Sequence, residues 1–228
     1  MTTIPFEGGA ESWTVGTVYC FGKNYRAHAV EMGQTAPKPP VVFLKPAAAV
    51  IVPDASIEIP TDRGEVHHEA ELVLALEIPE ALSGRALEEP EADRCIVAFT
   101  IGLDLTLREE QSAAKEAGEP WTASKGFPGS APVAPLVRRA GGASFETMTL
   151  SLNVDGERRQ EASLDAMTLS PAACVTHLST RFPLATGDLV FTGTPAGVGP
   201  LVPGSRVVAA LGSARRLEVV VSGALATG

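Results

Sequence analysis

A chain of 228 residues fits one domain. Its 18 Lys plus Arg against 27 Asp plus Glu give a net charge of -9, which argues against a nucleic-acid partner because phosphate binding needs a basic surface. No apolar run approaches the ~18 residues of a membrane helix, and the start from Met1 to Gly16 carries no signal- or transit-peptide pattern. A soluble, cytoplasmic protein with no membrane partner is therefore expected. Cys20, Cys95 and Cys174 are odd in number and flanked by apolar residues, which predicts buried free thiols.

Short apolar runs between turn residues, with 22 Gly, 18 Pro and only 5% aromatics, predict a mainly β (α+β) fold with short helices. In chain order the sequence predicts a strand over 14–21, a helix over 24–32 closed by Gly33, and strands over 41–44, 47–52, 69–76 and 96–105. A helix over 108–117 closed by Gly118 follows, then a strand over 150–154 that turns at Asp155-Gly156, a strong hairpin signal. A helix over 171–180 opened by Ser170 and Pro171 precedes strands over 189–192, 206–211 and 217–221.

Glu69 and Glu71 lie two apart on a predicted strand, so they share a face while Ala70, Leu72, Leu74 and Leu76 take the other. Such a pair is either a solvated strand end or half of a cation site. Asp104, in an otherwise apolar strand, adds a third carboxylate, and an oxygen-only set selects Mg²⁺, Mn²⁺ or Ca²⁺ over zinc. A buried Asp104 paired with Arg108 is the other reading. His67 and His68 face opposite ways, and both are expected to flank the carboxylates rather than bind metal.

His28 and Glu31, three residues apart on a helix, are neighbours; such a dyad is either a general base for water or an ordinary exposed contact. Lys125, between Trp121 and Phe127, either holds a substrate oxygen or is a surface lysine. Thr194 belongs to a glycine-rich run, 192–199, that lacks the lysine and spacing of a P-loop and is either a small-acid contact or a plain turn.

Six stretches then stand in one order: Phe21 to His28 (FGKNYRAH), Phe43 to Pro46 (FLKP), His67 to Leu72 (HHEAEL), Leu103 to Arg108 (LDLTLR), Pro120 to Phe127 (PWTASKGF) and Gly187 to Pro200 (GDLVFTGTPAGVGP). From about Cys20 to Leu211 the chain resembles the fumarylacetoacetate hydrolase (FAH) family, within it the compact acylpyruvate hydrolase and oxaloacetate decarboxylase branch. The resemblance implies a mixed β-sheet roll of the FAH C-terminal domain type, one catalytic domain over 1–228 with 1–16 as an N-terminal extension, and a homodimer. It implies Mg²⁺ or Mn²⁺, with Ca²⁺ as a further candidate, on Glu69, Glu71 and Asp104; His28, Glu31 and Lys125 as catalytic groups, the first two on a lid; and Lys23, Lys45, Arg108, Gln111 and Thr194 as substrate-binding. Lys23 stands where the branch often has Arg, and Pro128 where it often has a polar residue; an ammonium does not reproduce the guanidinium fork.

The implied substrate is a small anionic 2-oxo acid. The implied activity is metal-dependent hydrolysis of a carbon-carbon bond in acylpyruvate-type 2,4-diketo acids, the acetylpyruvate and fumarylpyruvate class, with oxaloacetate decarboxylation as a second capacity. The alternatives are an isomerase or decarboxylase of unsaturated 2-hydroxy or 2-oxo dioates, and a non-catalytic dicarboxylate-binding protein.

Overall fold

The computed structural model describes residues 1–31 and 41–224, so the expected end of the first helix at 32–33 lies outside the described residues. Strands predominate, in mixed sheets with few short helices. The largest sheet runs in the order Val137–Arg138, Ile96–Leu103, Ala70–Leu76, Leu189–Phe191, Val18–Gly22, Val41–Lys45. Its central strand, Ala70–Leu76, is buried at every position, as a strand covered on both faces must be. Ala70, Leu72, Leu74 and Leu76 join one core cluster while Val73 and Ala75 join a second with Ile4, Val18 and Phe191, so the predicted alternation sorts two cores rather than core and solvent.

A five-stranded sheet holds Glu157–Ser163, Thr149–Val154, Arg206–Leu211, Arg215–Ala224 and Ser56–Pro60. The expected hairpin closes with Val154 opposite Glu157, and Asp155 and Gly156 take φ of 53° and 84°, the double left-handed conformation of a tight primed turn. A small third sheet sets Val66–His68 between Thr106–Leu107 and Gly199–Leu201.

That small sheet positions the site. Three chains cross to it from the large sheet: Glu69 is the one residue between Val66–His68 and Ala70–Leu76, Asp104 and Leu105 separate Ile96–Leu103 from Thr106–Leu107, and residues 192–198 separate Leu189–Phe191 from Gly199–Leu201. Backbone bonds bind two of the crossings together, Asp104 N–H donating to Glu69 O at 2.8 Å.

The helix Arg108–Ala117 spans the expected range and ends on Gly118 at φ 70°. Pro171–Ser179 starts where Ser170 Oγ accepts from Ala173 N–H. The expected strand over 14–21 is split into Ser12–Thr14 and Val18–Gly22, because Gly16 N–H and Thr17 N–H turn to Gly187 O and Asp188 Oδ1. Residues 47–52 hold a 3₁₀ turn, Ala47–Ala49, before the short strand Val50–Ile51. Near the start, Thr3–Pro5 pairs with Ser12–Thr14, and Ile4 and Phe6 enter the second core cluster. All three cysteines are free and buried, and no described helix is long and apolar enough to cross a membrane.

Candidate active site

Glu69, Glu71 and Asp104 each present a carboxylate oxygen within 4.8 Å of the others, and all three are buried. Three carboxylates this close in a low-dielectric setting repel strongly. Two lysines and an arginine offset part of that repulsion. Lys125 Nζ lies 2.8 Å from Glu69 Oε2 and 2.6 Å from Asp104 Oδ2, and Arg108 donates to Glu69 Oε1 at 2.5 Å. Arg108 thus pairs with Glu69 rather than with Asp104, which corrects the alternative sequence reading of Asp104.

Lys45 is fully buried and donates to Leu105 O, Lys125 O and Ser130 O. Its Nζ is 2.8 Å from Asp104 Oδ1, but with its three protons directed at carbonyls the contact is one of charge, and Asp104 Oδ1 receives no hydrogen bond. Glu71 has no ion pair among the described residues; its Oε2 accepts from Gly193 N–H at 2.7 Å. Gly193 is required there: at φ 100°, a Cβ would lie 2.7 Å from Asn24 Cβ.

These surroundings drive the two glutamates apart. Burial pushes Glu69 up, but Lys125 and Arg108 outweigh it and hold its carboxyl well below the usual range. Burial, then Asp104 and Glu69, push Glu71 well above that range. Lys125 is raised above its ordinary value by Asp104 and Glu69 in spite of burial. An unbonded buried carboxylate oxygen on Asp104 and an unpaired carboxyl on Glu71 are what a hard divalent cation would satisfy, so the donor set fits Mg²⁺ or Mn²⁺.

A cleft that meets the triad at Glu69 is lined also by Lys23, His28, Arg108, Gln111, Lys115, Trp121 and Lys125. Its volume of ≈ 20 Å³ is far below the ≈ 470 Å³ of each of two other surface cavities. Chemistry rather than size marks the site, because among the described residues a carboxylate of the triad, an imidazole and three lysines share this lining. His28 is buried on the short helix Arg26–Glu31, and its Nδ1 lies 3.0 Å from Glu31 Oε2. Glu31 also accepts from Gly197 N–H at 3.0 Å, which ties the helix to the glycine-rich loop.

The helix Arg108–Ala117 presents Arg108, Gln111 and Lys115 to the cleft, Gln111 Oε1 accepting from Arg108 at 2.7 Å and from Lys115 at 3.1 Å. Lys23 lines the cleft at φ 67°, an unusual backbone state for a non-glycine residue. Thr194 and Lys45 lie outside the cleft lining; the Thr194 hydroxyl donates to Ala70 O and accepts from Gln160.

His67 accepts from Arg108 Nε, and His68 lies beside Gln160; burial pushes the His68 imidazole down to about 4 against the raising effect of its Gln160 hydrogen bond. Neither joins the carboxylate cluster. Lys115 and Gln160 are additions to the sequence-predicted set. The spacing of Lys115, four residues after Gln111, was a readable signal, whereas Gln160 on the hairpin had none.

The model of the fumarylacetoacetate (FAA) hydrolase C-terminal family matches residues 17–227. The chain belongs to this family. It is 36% identical over 203 residues to oxaloacetate tautomerase YcgM of Escherichia coli, covering 89% of this chain and 91% of that one. It is 33% identical to the mitochondrial oxaloacetate decarboxylase of Dictyostelium discoideum over 84% of this chain and 87% of that one. Among solved structures, fumarylpyruvate hydrolase from Pseudomonas aeruginosa in complex with Mn²⁺ and pyruvate superposes with a TM-score of 0.92 at 37% identity, over 98% of this chain and 96% of that one. The protein is thus a member of an enzyme family with tautomerase, decarboxylase and hydrolase relatives.

Proposed function

We propose that the protein interconverts the keto and enol forms of a small 2-oxo dicarboxylic acid, oxaloacetate first, with Mg²⁺ or Mn²⁺ held by Glu69, Glu71 and Asp104. The observation that carries this reading is the buried His28 imidazole, braced by Glu31 and facing the same cleft as Glu69 and Lys125. Glu31 accepting the Nδ1 proton leaves Nε2 with its lone pair free. His28 Nε2 takes a proton from the carbon beside the keto group and delivers it to the keto oxygen, so one C–H bond is exchanged for one O–H bond. A cation bound by the triad supplies Lewis-acid stabilisation of the negative charge that develops between those steps. Lys125 and Arg108 keep Glu69 ionised and so ready to ligate. The oxaloacetate tautomerase relative supports the choice of substrate.

A second reading is hydrolysis of acylpyruvates, the activity that the family resemblance of the sequence implies. The fumarylpyruvate hydrolase that binds Mn²⁺ and pyruvate favours it. There His28 would deprotonate water rather than carbon. Loss of carbon dioxide from oxaloacetate needs neither proton transfer, so the base separates the reactions.

Ultraviolet absorbance of the oxaloacetate enol, pyruvate release from acylpyruvates, and carbon dioxide release, each with Mg²⁺, Mn²⁺ or chelator, test the readings together. His28→Ala is expected to lower tautomerisation and any acylpyruvate cleavage by about 10²–10⁴-fold while sparing most decarboxylation. Equal loss of all three would sink the role of His28 as base. Activity that persists in excess chelator would refute the metal, and binding without turnover of any of these acids would leave the non-catalytic reading.

A further inference from the structure

Lys115 is a half-buried cation in the cleft with no carboxylate partner among the described residues. Its Nζ is fixed from two sides, 3.1 Å from Gln111 Oε1 and 5.0 Å from the centre of the Trp121 ring. Trp121 is itself held by Phe43, their ring centres 5.7 Å apart. Of the three acidic residues of the same helix, Glu110 takes two bonds from Arg63, Glu109 accepts from Glu65 N–H, and the exposed Glu116 makes no ion pair among the described residues. Arg108, by contrast, is paired with Glu69, and Lys125 with Glu69 and Asp104.

Glu69 and Asp104 thus have cationic partners, whereas the Lys115 ammonium has no ion pair among the described residues. Lys23, which also lines the cleft, has no ion pair among the described residues either, and the carboxylate that shares this lining, Glu69, is already taken by Arg108 and Lys125. Burial, then Arg108 and Lys23, push the Lys115 amine down to about 8, the mark of a cation that costs free energy to keep without a counter-charge. A substrate that anchors its 2-oxo acid end at the triad has its other end left to recognise.

We infer that Lys115 is a specificity-determining residue that holds the second carboxylate of the substrate and selects 2-oxo dicarboxylates over monocarboxylates. The inference rests on the enol-forming reading of this cleft and names what that reading leaves open. Trp121 contacts the ammonium on one side and Gln111, itself bonded to Arg108, holds it on the other, so the amine already faces the cleft in the ligand-free protein.

The test compares wild-type protein with Lys115→Met and Lys115→Arg, all Mn²⁺-loaded. Two quantities are read: the KM for oxaloacetate tautomerisation and the calorimetric affinity for oxalate, which offers a metal-chelating end but no distal carboxylate. Lys115→Met is expected to raise the oxaloacetate KM at least about tenfold, the worth of a hydrogen bond to a charged group, and to leave oxalate affinity within about twofold. Lys115→Arg is expected to recover part of the loss. An unchanged KM, or an equal loss of oxalate affinity, overturns the inference while leaving the enol-forming reading intact. Wild-type protein that turns over no 2-oxo acid overturns that reading, and the role of Lys115 with it.

Discussion

Glu71 and Glu69 stand two residues apart and are driven in opposite directions, because of the two only Glu69 is ion-paired with Lys125 and Arg108. Glu71 holds its proton in the folded chain to a higher pH than a glutamate in the unfolded chain, whose value lies near 4.3. The folded state therefore binds more protons than the unfolded one, and metal-free stability from this group is present at low pH and lost as pH rises through the folded value. A divalent cation needs Glu71 ionised, so it removes that loss. One fixed Mn²⁺ concentration, about a hundred times the Kd at pH 8, is expected to raise Tm by about 5–10 °C at pH 8 and by less at pH 6, where ionising Glu71 costs more. Scanning calorimetry at both values checks this; a gain that does not grow with pH would remove Glu71 from the ligand set, and Glu71→Gln should abolish both the gain and its slope. The three carboxylates were legible because a Glu-x-Glu pair alternates on a strand and an Asp stands out in an apolar run. Their charge partners were not, since Lys125 meets Glu69 across 56 residues and no local pattern records such a contact.

Elements were legible to the extent that their ends carry chemistry of their own. Arg108–Ala117 was read over its observed range because Gly118 supplies the left-handed cap, and Pro171–Ser179 to within one residue because Ser170 caps its start. Glu89–Cys95 and Thr122–Lys125 went unread: the first buries only Ala92 and Cys95, and the second is a single turn, too short for periodicity to show. The most consequential link between elements is also small. Gly197 N–H holds Glu31, and through it the helix that carries His28, yet Gly197 has φ 96° and a Cβ there would lie 1.9 Å from Arg159 O. Gly197→Ala must displace that loop. The expected outcome is a Tm lower by about 3–8 °C together with a kcat at least about tenfold lower, because His28 loses the partner that orients it. A variant with the lower Tm but normal kcat would show that Glu31 is held without the loop.

At the scale of the molecule, the site lies where chains leave the six-stranded sheet for the three-stranded one, an arrangement no sequence pattern announces because both sheets pair strands distant in the chain. The five-stranded sheet braces the crossing through one side chain. Gln160, on Glu157–Ser163, donates to Thr194 Oγ1 at 2.7 Å and Pro195 O at 2.9 Å, and accepts from Ala70 N–H at 3.0 Å. Ala70 stands between Glu69 and Glu71, so Gln160 fixes the ligand-bearing segment and the glycine-rich loop at once. Gln160→Met keeps a similar volume but leaves those buried groups unpaired, which costs about 2–4 kcal/mol and about 4–16 °C in Tm. A purely structural brace would stop there. If Gln160 also sets the ligand geometry, the Mn²⁺ Kd rises in Gln160→Met but not in Leu211→Ala, a buried substitution elsewhere in the same sheet with a comparable cost in stability. Titration of Mn²⁺ into both variants decides it, and equal affinities would confine Gln160 to holding the sheets together.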